Sequence, residues 1–290
     1  MTRSHVVWND HIALAMAASQ GWALCTIVAI EGSFSRRLGA QLAVSDQGEV
    51  VGSLADGCLE RQLVTEADLA RQDQSPRLVR FGKGSQSIDF QLPCGSSIDV
   101  LVDPEPNRVE LREALASLSR RDLASITLPI VGEAEFPKRH YRPAPRLLLL
   151  GTGPEVDAAL DLAANLAITV DVQRPAGEGG STQGLFLGKI PSGLWADRWT
   201  AIALLFHDHE WERALLAWAL TTDAFFVGAQ GGAQIRSRRR EDLLAAGLDE
   251  IAIARVSSPV GLIPHARDPQ TLALSLLAEV IAKYDAGAAG

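Results

Sequence analysis

The sequence holds three cysteines, Cys25, Cys58 and Cys94, an odd number with no CxxC pair among them. That spacing indicates neither a disulfide framework nor a structural zinc site, so each thiol needs its own explanation. Cys58 stands in GSLADGCLE, residues 52–60, directly after a strand-like run and directly before a helix-like one. A thiol there feels the positive end of the helix dipole, which favours the thiolate and makes it a nucleophile or a soft metal ligand. The competing reading is a small buried hydrophobe, the commonest fate of a free cysteine. Cys25 lies in the middle of an apolar run and reads as core. Cys94, between Pro93 and Gly95, reads as a bend that could face the same pocket as Cys58.

EGSFSRRLGA, residues 31–40, places Arg36 and Arg37 between glycines in a loop, an anion cradle in a chain of formal net charge −8. Arginines for a phosphate and a thiol for a soft atom together suit an anion with a soft centre, a description that molybdopterin meets. In the second half, Gly151-Thr152-Gly153 follows an apolar run and opens a helix, the context in which backbone N–H groups meet a pyrophosphate. The dinucleotide pattern is incomplete. Val156 fills the third glycine position, Pro154 removes a donor, and the ribose-binding acid expected roughly 20 residues on, Asp171, falls inside a strand. These changes argue against NAD(P). His207-Asp208-His209 ends the next strand, at the edge where open sheets place ligands. No third ligand accompanies the two histidines at a recognisable spacing, so hydrogen bonding at a cleft is favoured over zinc. RSRRRED, Arg236 to Asp242, reads as a solvated helix face.

The elements that must position these groups fall into two halves of a 290-residue chain. ALCTIVAIEG is a buried strand, and QLAVSDQGEVVGSL is a hairpin turning at Asp46-Gln47-Gly48. Leu59, Leu63, Ala67 and Ala70 recur at helical spacing, which puts Cys58 at a strand-to-helix corner. RLVRF and SIDVLVD are further strands, followed by a helix over 107–118. The first half, residues 1–142, is therefore a small mixed α/β domain. RHYRPAPR, Arg139 to Arg146, reads as an exposed connection, with the boundary near Pro143. Beyond it, strands RLLLLG, ITVDV, TAIALLF and AFFVGA alternate with helices, the last spanning 268–283. That alternation makes residues 143–290 a Rossmann-like doubly wound domain. The acidic balance argues against nucleic acid as a partner. No apolar run reaches the roughly 18 residues needed to span a bilayer, and no secretory signal pattern is recognised, so the expected location is the cytoplasm.

The motifs together resemble the XdhC/CoxI family of molybdenum-hydroxylase accessory proteins over nearly the whole chain. Gly32, Ser33, Arg36, Gly39 and Ala40 match a G-S-x-x-R-x-x-G-A loop; Gly52, Ser53, Gly57, Cys58 and Glu60 match a G-S-x-x-G-G-C-x-E signature. Cys94 and Gly95 match the start of a C-G-G turn, and His207-Asp208, Phe226 to Ala229 and Pro259 to Leu262 resemble C-terminal segments of the family. Asp56, Ser96 and Pro154 depart from it, as do Arg37-Leu38, Val172-Gln173 and the segment GLIPHAR, which marks a divergent member. The resemblance implies an accessory factor, not an enzyme. It would bind molybdenum cofactor, protect it while a cysteine-desulfurase-type partner installs the sulfido ligand, and deliver it to a xanthine-dehydrogenase-like apoenzyme. A homodimer is the expected assembly. The cofactor-contacting set on this reading is Arg36, Gly39, Gly57, Cys58, Glu60, Cys94, Gly151, Gly153, His207 and Asp208, with Cys58 facing the metal. An NAD(P)-dependent oxidoreductase and a sulfurtransferase carrying persulfide on Cys58 stay open as alternatives.

Overall fold

In the computed structural model, which describes residues 9–55, 57–85, 95–166, 168–177 and 184–287, the chain divides into two compact units after Pro143. The N-terminal unit contains α1 (Asn9–Ala17), β1 (Trp22–Glu31), β2 (Gln41–Ser45), β3 (Val50–Gly52), α2 (Cys58–Asp73), β4 (Arg77–Gly82), β5 (Ser97–Asp103), α3 (Arg108–Ser119), β6 (Ala124–Ile126) and β7 (Arg139–Tyr141). Its five-stranded sheet runs β3-β2-β1-β5-β4 with antiparallel neighbours.

Alternation along β1 decides what each face covers. Ala23, Cys25 and Ile27 pack with Leu59, Leu63, Ala67 and Ala70 of α2. Leu24 points the other way, into a second core with Leu14 of α1 and Leu111 and Ala114 of α3. The 3.6-residue stripe of α2 and the two-residue period of β1 therefore meet, and burying Leu59 or Leu63 stabilises the contact by about 1.5–3 kcal/mol each.

β7 corrects the reading of residues 139–146 as an exposed connection. Arg139–Tyr141 pairs with Ala124–Ile126. Tyr141 is buried and donates its hydroxyl to Oε1 of Gln41 at 2.6 Å. Arg139 reaches Asp10 at 2.6 Å and the Gly39 carbonyl at 2.6 Å. Cations and prolines look like a linker in sequence, but residues 139–141 belong to the N-terminal unit because their partners lie in it, and that unit ends only at Pro143.

The C-terminal unit contains β8 (Arg146–Gly151), α4 (Pro154–Ala163), β9 (Thr169–Gln173), β10 (Thr200–Leu205), α5 (Glu212–Leu220), β11 (Phe226–Ala229), α6 (Ala233–Ala245), α7 (Glu250–Ile253), β12 (Val256–Ser257) and α8 (Pro269–Ala286). The sheet is parallel throughout, in the order β12-β11-β10-β8-β9. α4 and α8 pack on one face, and α5 with the Leu243 side of α6 packs on the other. This is the Rossmann-like arrangement expected from the alternation of strands and helices. The strand order reverses between β8 and β10, so the loops after these two strands flank the position where open α/β sheets bind ligands. Among the described residues, no helix is long and apolar enough to cross a membrane.

Candidate functional site

In the N-terminal unit the chemistry gathers on the loop between β3 and α2. Gly57 caps α2 with φ at 98°, a left-handed conformation that disfavours side chains, and a Cβ added there would meet nothing within 4 Å among the described residues. The backbone beside the thiol is therefore open to approach. Cys58 is the first residue of α2 and is exposed. One guanidinium N–H of Arg61, three residues on and so on the same helix face, donates to its Sγ at 3.2 Å. An exposed sulfur at a helix start, with a cation bonded to it, can act as a nucleophile or meet a soft electrophilic centre.

Glu60 shapes this loop. Its Oε1 accepts from the backbone N–H groups of Leu54 at 2.9 Å and Ala55 at 2.7 Å, and its Oε2 from Gly57 at 2.7 Å. Burial alone pushes this carboxyl up, but the surrounding backbone N–H groups, that of Ala55 first, outweigh it and leave the carboxyl below its ordinary range. The contribution of Glu60 is the curvature that presents Cys58. Arg36 braces the same loop from the other side, with Nε donating to the Ser53 carbonyl at 3.1 Å and Nη2 to the Ser53 hydroxyl at 3.3 Å. Its positive charge has no carboxylate partner among the described residues. Gly39 supplies the carbonyl that fixes Arg139, and Asp10 gathers Arg37, Arg139 and the Gln41 N–H behind the arginine loop.

Cys25 is fully buried, and burial pushes its thiol up to about 12, so it stays protonated at neutral pH. Cys94 and Asp56 lie outside the described residues. Among those described, no group of three or more His, Cys, Asp or Glu side chains could hold a metal ion.

In the C-terminal unit, a Cβ on Gly151 would fall 2.2 Å from the Leu205 carbonyl oxygen, so this glycine lets β8 and β10 approach. Gly153 caps α4, with Pro154 as its first residue. The Glu155 carboxylate folds back under this corner. Its Oε2 is buried without a hydrogen bond among the described residues, and its Oε1 lies 3.6 Å from Nε2 of the largely exposed His207, at the end of β10. Asp208 caps the following 3₁₀ turn by accepting the Glu210 N–H at 3.0 Å. Asp171 accepts from Arg146 at 2.7 Å, which engages one of its oxygens.

The solvated reading of Arg236 to Asp242 fails at Arg239, which is 6% exposed. Its guanidinium donates to Oε2 of Glu212 at 3.1 and 2.7 Å, to the Ser258 hydroxyl at 2.6 Å and to the Gln230 carbonyl at 2.7 Å. Sequence spacing could have revealed Arg61, because it lies three residues from Cys58. The Glu212–Arg239 and Glu155–His207 pairs join separate elements and leave no local signal.

Comparison with known proteins adds four findings. Residues 15–82 match the family model described as XdhC and CoxI family, and residues 147–280 match the one described as XdhC Rossmann domain. The chain is 31% identical over 280 residues to the molybdenum cofactor insertion chaperone PaoD of Escherichia coli (strain K12), covering 92% of this chain and 84% of that protein. It is 21% identical to a probable xanthine dehydrogenase subunit of Bacillus subtilis (strain 168), over 89% of this chain and 92% of that protein. A crystal structure described as a xanthine dehydrogenase from Bacillus halodurans shares the fold, with a TM-score of 0.75, 22% identity and 96% of each chain covered.

Proposed function

We propose that this chain, which belongs to the XdhC and CoxI family, is a chaperone that holds molybdenum cofactor for a molybdenum hydroxylase. The observation that carries this reading is the exposed Cys58 at the first position of α2, beside the open face of Gly57 and bonded to Arg61. When bound, the cofactor supplies a molybdenum centre with sulfur ligands and an anionic phosphate. The donor set fits it: a thiol is the ligand type a soft metal prefers over oxygen, and arginine matches phosphate. Cys58 contacts the metal or its sulfur ligands. Arg61 keeps the thiol turned toward the opening, and Glu60 holds the loop in shape. Arg36 offers its unneutralised charge to the phosphate.

The chain acts as an accessory factor. It shields the cofactor while a cysteine-desulfurase-type donor installs the sulfido ligand, then releases it to a xanthine-dehydrogenase-like apoenzyme. The test is transfer after a timed exposure to air: cofactor-loaded chain should activate such an apoenzyme faster than free cofactor given the same exposure. Equal rates and equal loss of cofactor would remove the protective role.

Arg36→Ala should weaken cofactor retention by about tenfold to a hundredfold, the worth of a charge-assisted contact of about 1.5–3 kcal/mol. The measurement is cofactor dissociation from a chain whose circular dichroism is unchanged. Retention equal to wild type would reduce Arg36 to a brace for Ser53.

NADH should not bind at micromolar concentration. Pro154 withholds one N–H from the helix start, Asp171 is paired with Arg146, and the acidic side chain of Glu155 stands at the same corner, where it opposes an anion. Nicotinamide fluorescence titration checks this, and saturable binding would favour the oxidoreductase alternative.

A further inference from the structure

Polar groups that the proposed function does not use converge at one place in the C-terminal unit. A cavity of about 760 Å³ opens beyond the carboxyl end of β10, between α5 and α6. That size suits a small organic ligand. Leu187, Leu216, Ile235 and Leu243 line it, apolar surface of the kind a planar ring covers. Glu212, which also lines it, is 2% exposed, and its two oxygens have different fates. Oε2 accepts both Arg239 bonds. Oε1 lies 3.1 Å from Nδ1 of His209, yet neither atom makes a hydrogen bond among the described residues. At that distance the missing bond is a matter of alignment. A buried acceptor and an imidazole nitrogen thus stand side by side, both unsatisfied, at the ligand-binding edge of a parallel sheet. At the rim, Arg213 is tied to Asp242 at 2.6 Å, whereas the exposed Arg238 makes no ion pair among the described residues.

We infer that this cavity is a binding site for an amino-heterocycle with an anionic tail, whose aminopyrimidine edge is read by Glu212 and His209. The carboxylate accepts from the exocyclic amine, as acidic side chains do from the amino group of cytosine. His209, only partly buried, swings off Glu212 as the ligand enters and meets the adjacent ring nitrogen through whichever tautomer that nitrogen requires. Arg239 is anchored to Ser258 and Gln230, which holds the Glu212 carboxylate in place. The apolar walls take the ring, and Arg238 takes the anion. Pterins and cytosine nucleotides share this edge; the pterin rests on the molybdenum-cofactor reading above, and the cytosine nucleotide on the edge chemistry alone.

The test is calorimetric titration of the full chain with pterin-6-carboxylate, CMP and UMP, the last carrying a carbonyl in place of the amine. One or both amino-bearing probes should bind, and UMP should bind at least tenfold more weakly than CMP wherever CMP binds. His209→Ala should weaken binding about tenfold. Ala214→Trp, which fills the cavity from the half-buried side of α5, should abolish it. Binding of pterin-6-carboxylate alone identifies a pterin site, and binding of CMP alone a nucleotide site. Three results would each overturn the inference: neither amino probe binds, UMP binds as well as CMP, or binding is unchanged in either variant. Molybdenum retention that depends on Cys58 while these titrations fail would leave the chaperone reading standing and remove only the cavity site.

Discussion

A Cys58→Ser chain should fold and melt like wild type yet retain little molybdenum cofactor, and activation of a client hydroxylase should be lost. Serine keeps the shape of the side chain at an exposed helix start, so no core contact changes. What changes is the donor atom. An alcohol does not ionise near neutral pH and is a poor ligand for a soft metal. Cys25→Ser provides the contrast, because that side chain is fully buried on the α2 face of the sheet. Burying a hydroxyl there should cost about 1–3 kcal/mol of stability and leave retention intact in the chains that stay folded. The measurements are molybdenum per folded chain after anaerobic loading, then client activation. Equal values for Cys58→Ser and wild type would make Cys58 an ordinary surface residue.

Arg239→Met should destabilise the C-terminal unit by about 3–5 kcal/mol, since it strands the Glu212 carboxylate in the interior without its partner. Converting Glu212 to Leu in the same chain should recover much of that loss, because an apolar pair of similar volume carries no desolvation penalty. Arg240→Met, one residue away, should cost less than about 1 kcal/mol, because its Glu250 partner and the arginine itself are both more than half exposed. Urea unfolding of the three variants, followed by tryptophan fluorescence, checks the ranking. Equal effects at Arg239 and Arg240 would contradict the buried-network assignment.

That contrast also marks what the sequence could disclose. Regular elements were legible because their signals are local. Leu59, Leu63, Ala67 and Ala70 announce α2 at a 3.6-residue period, and the apolar run before Gly151 announces β8 as a buried parallel strand. Cys58 at a strand-to-helix corner followed from the same periodicity. Burial of one arginine within RSRRRED did not, because Glu212 and Ser258, which decide it, sit 27 and 19 residues away. Arg139 is likewise fixed by Asp10, 129 residues distant, which is why its segment resembles a linker until the fold supplies its partners. The role of Glu60 was half visible: its place in the motif could be read, but only the loop geometry shows that its oxygens are committed to the N–H groups of Leu54, Ala55 and Gly57.

The central claim is that this chain carries molybdenum cofactor, and the most direct measurement is the pterin content of the isolated protein. Full-length chain is purified anaerobically from a molybdenum-replete host and oxidised in acid. The fluorescent pterin released is quantified beside molybdenum by elemental analysis. The account predicts pterin and molybdenum in equal amounts in wild type, with both reduced together in Cys58→Ser. A folded wild-type chain that yields neither, from a host whose cofactor pool is shown to be full, would contradict it. Persulfide on Cys58 in such a chain would point instead to the sulfurtransferase alternative.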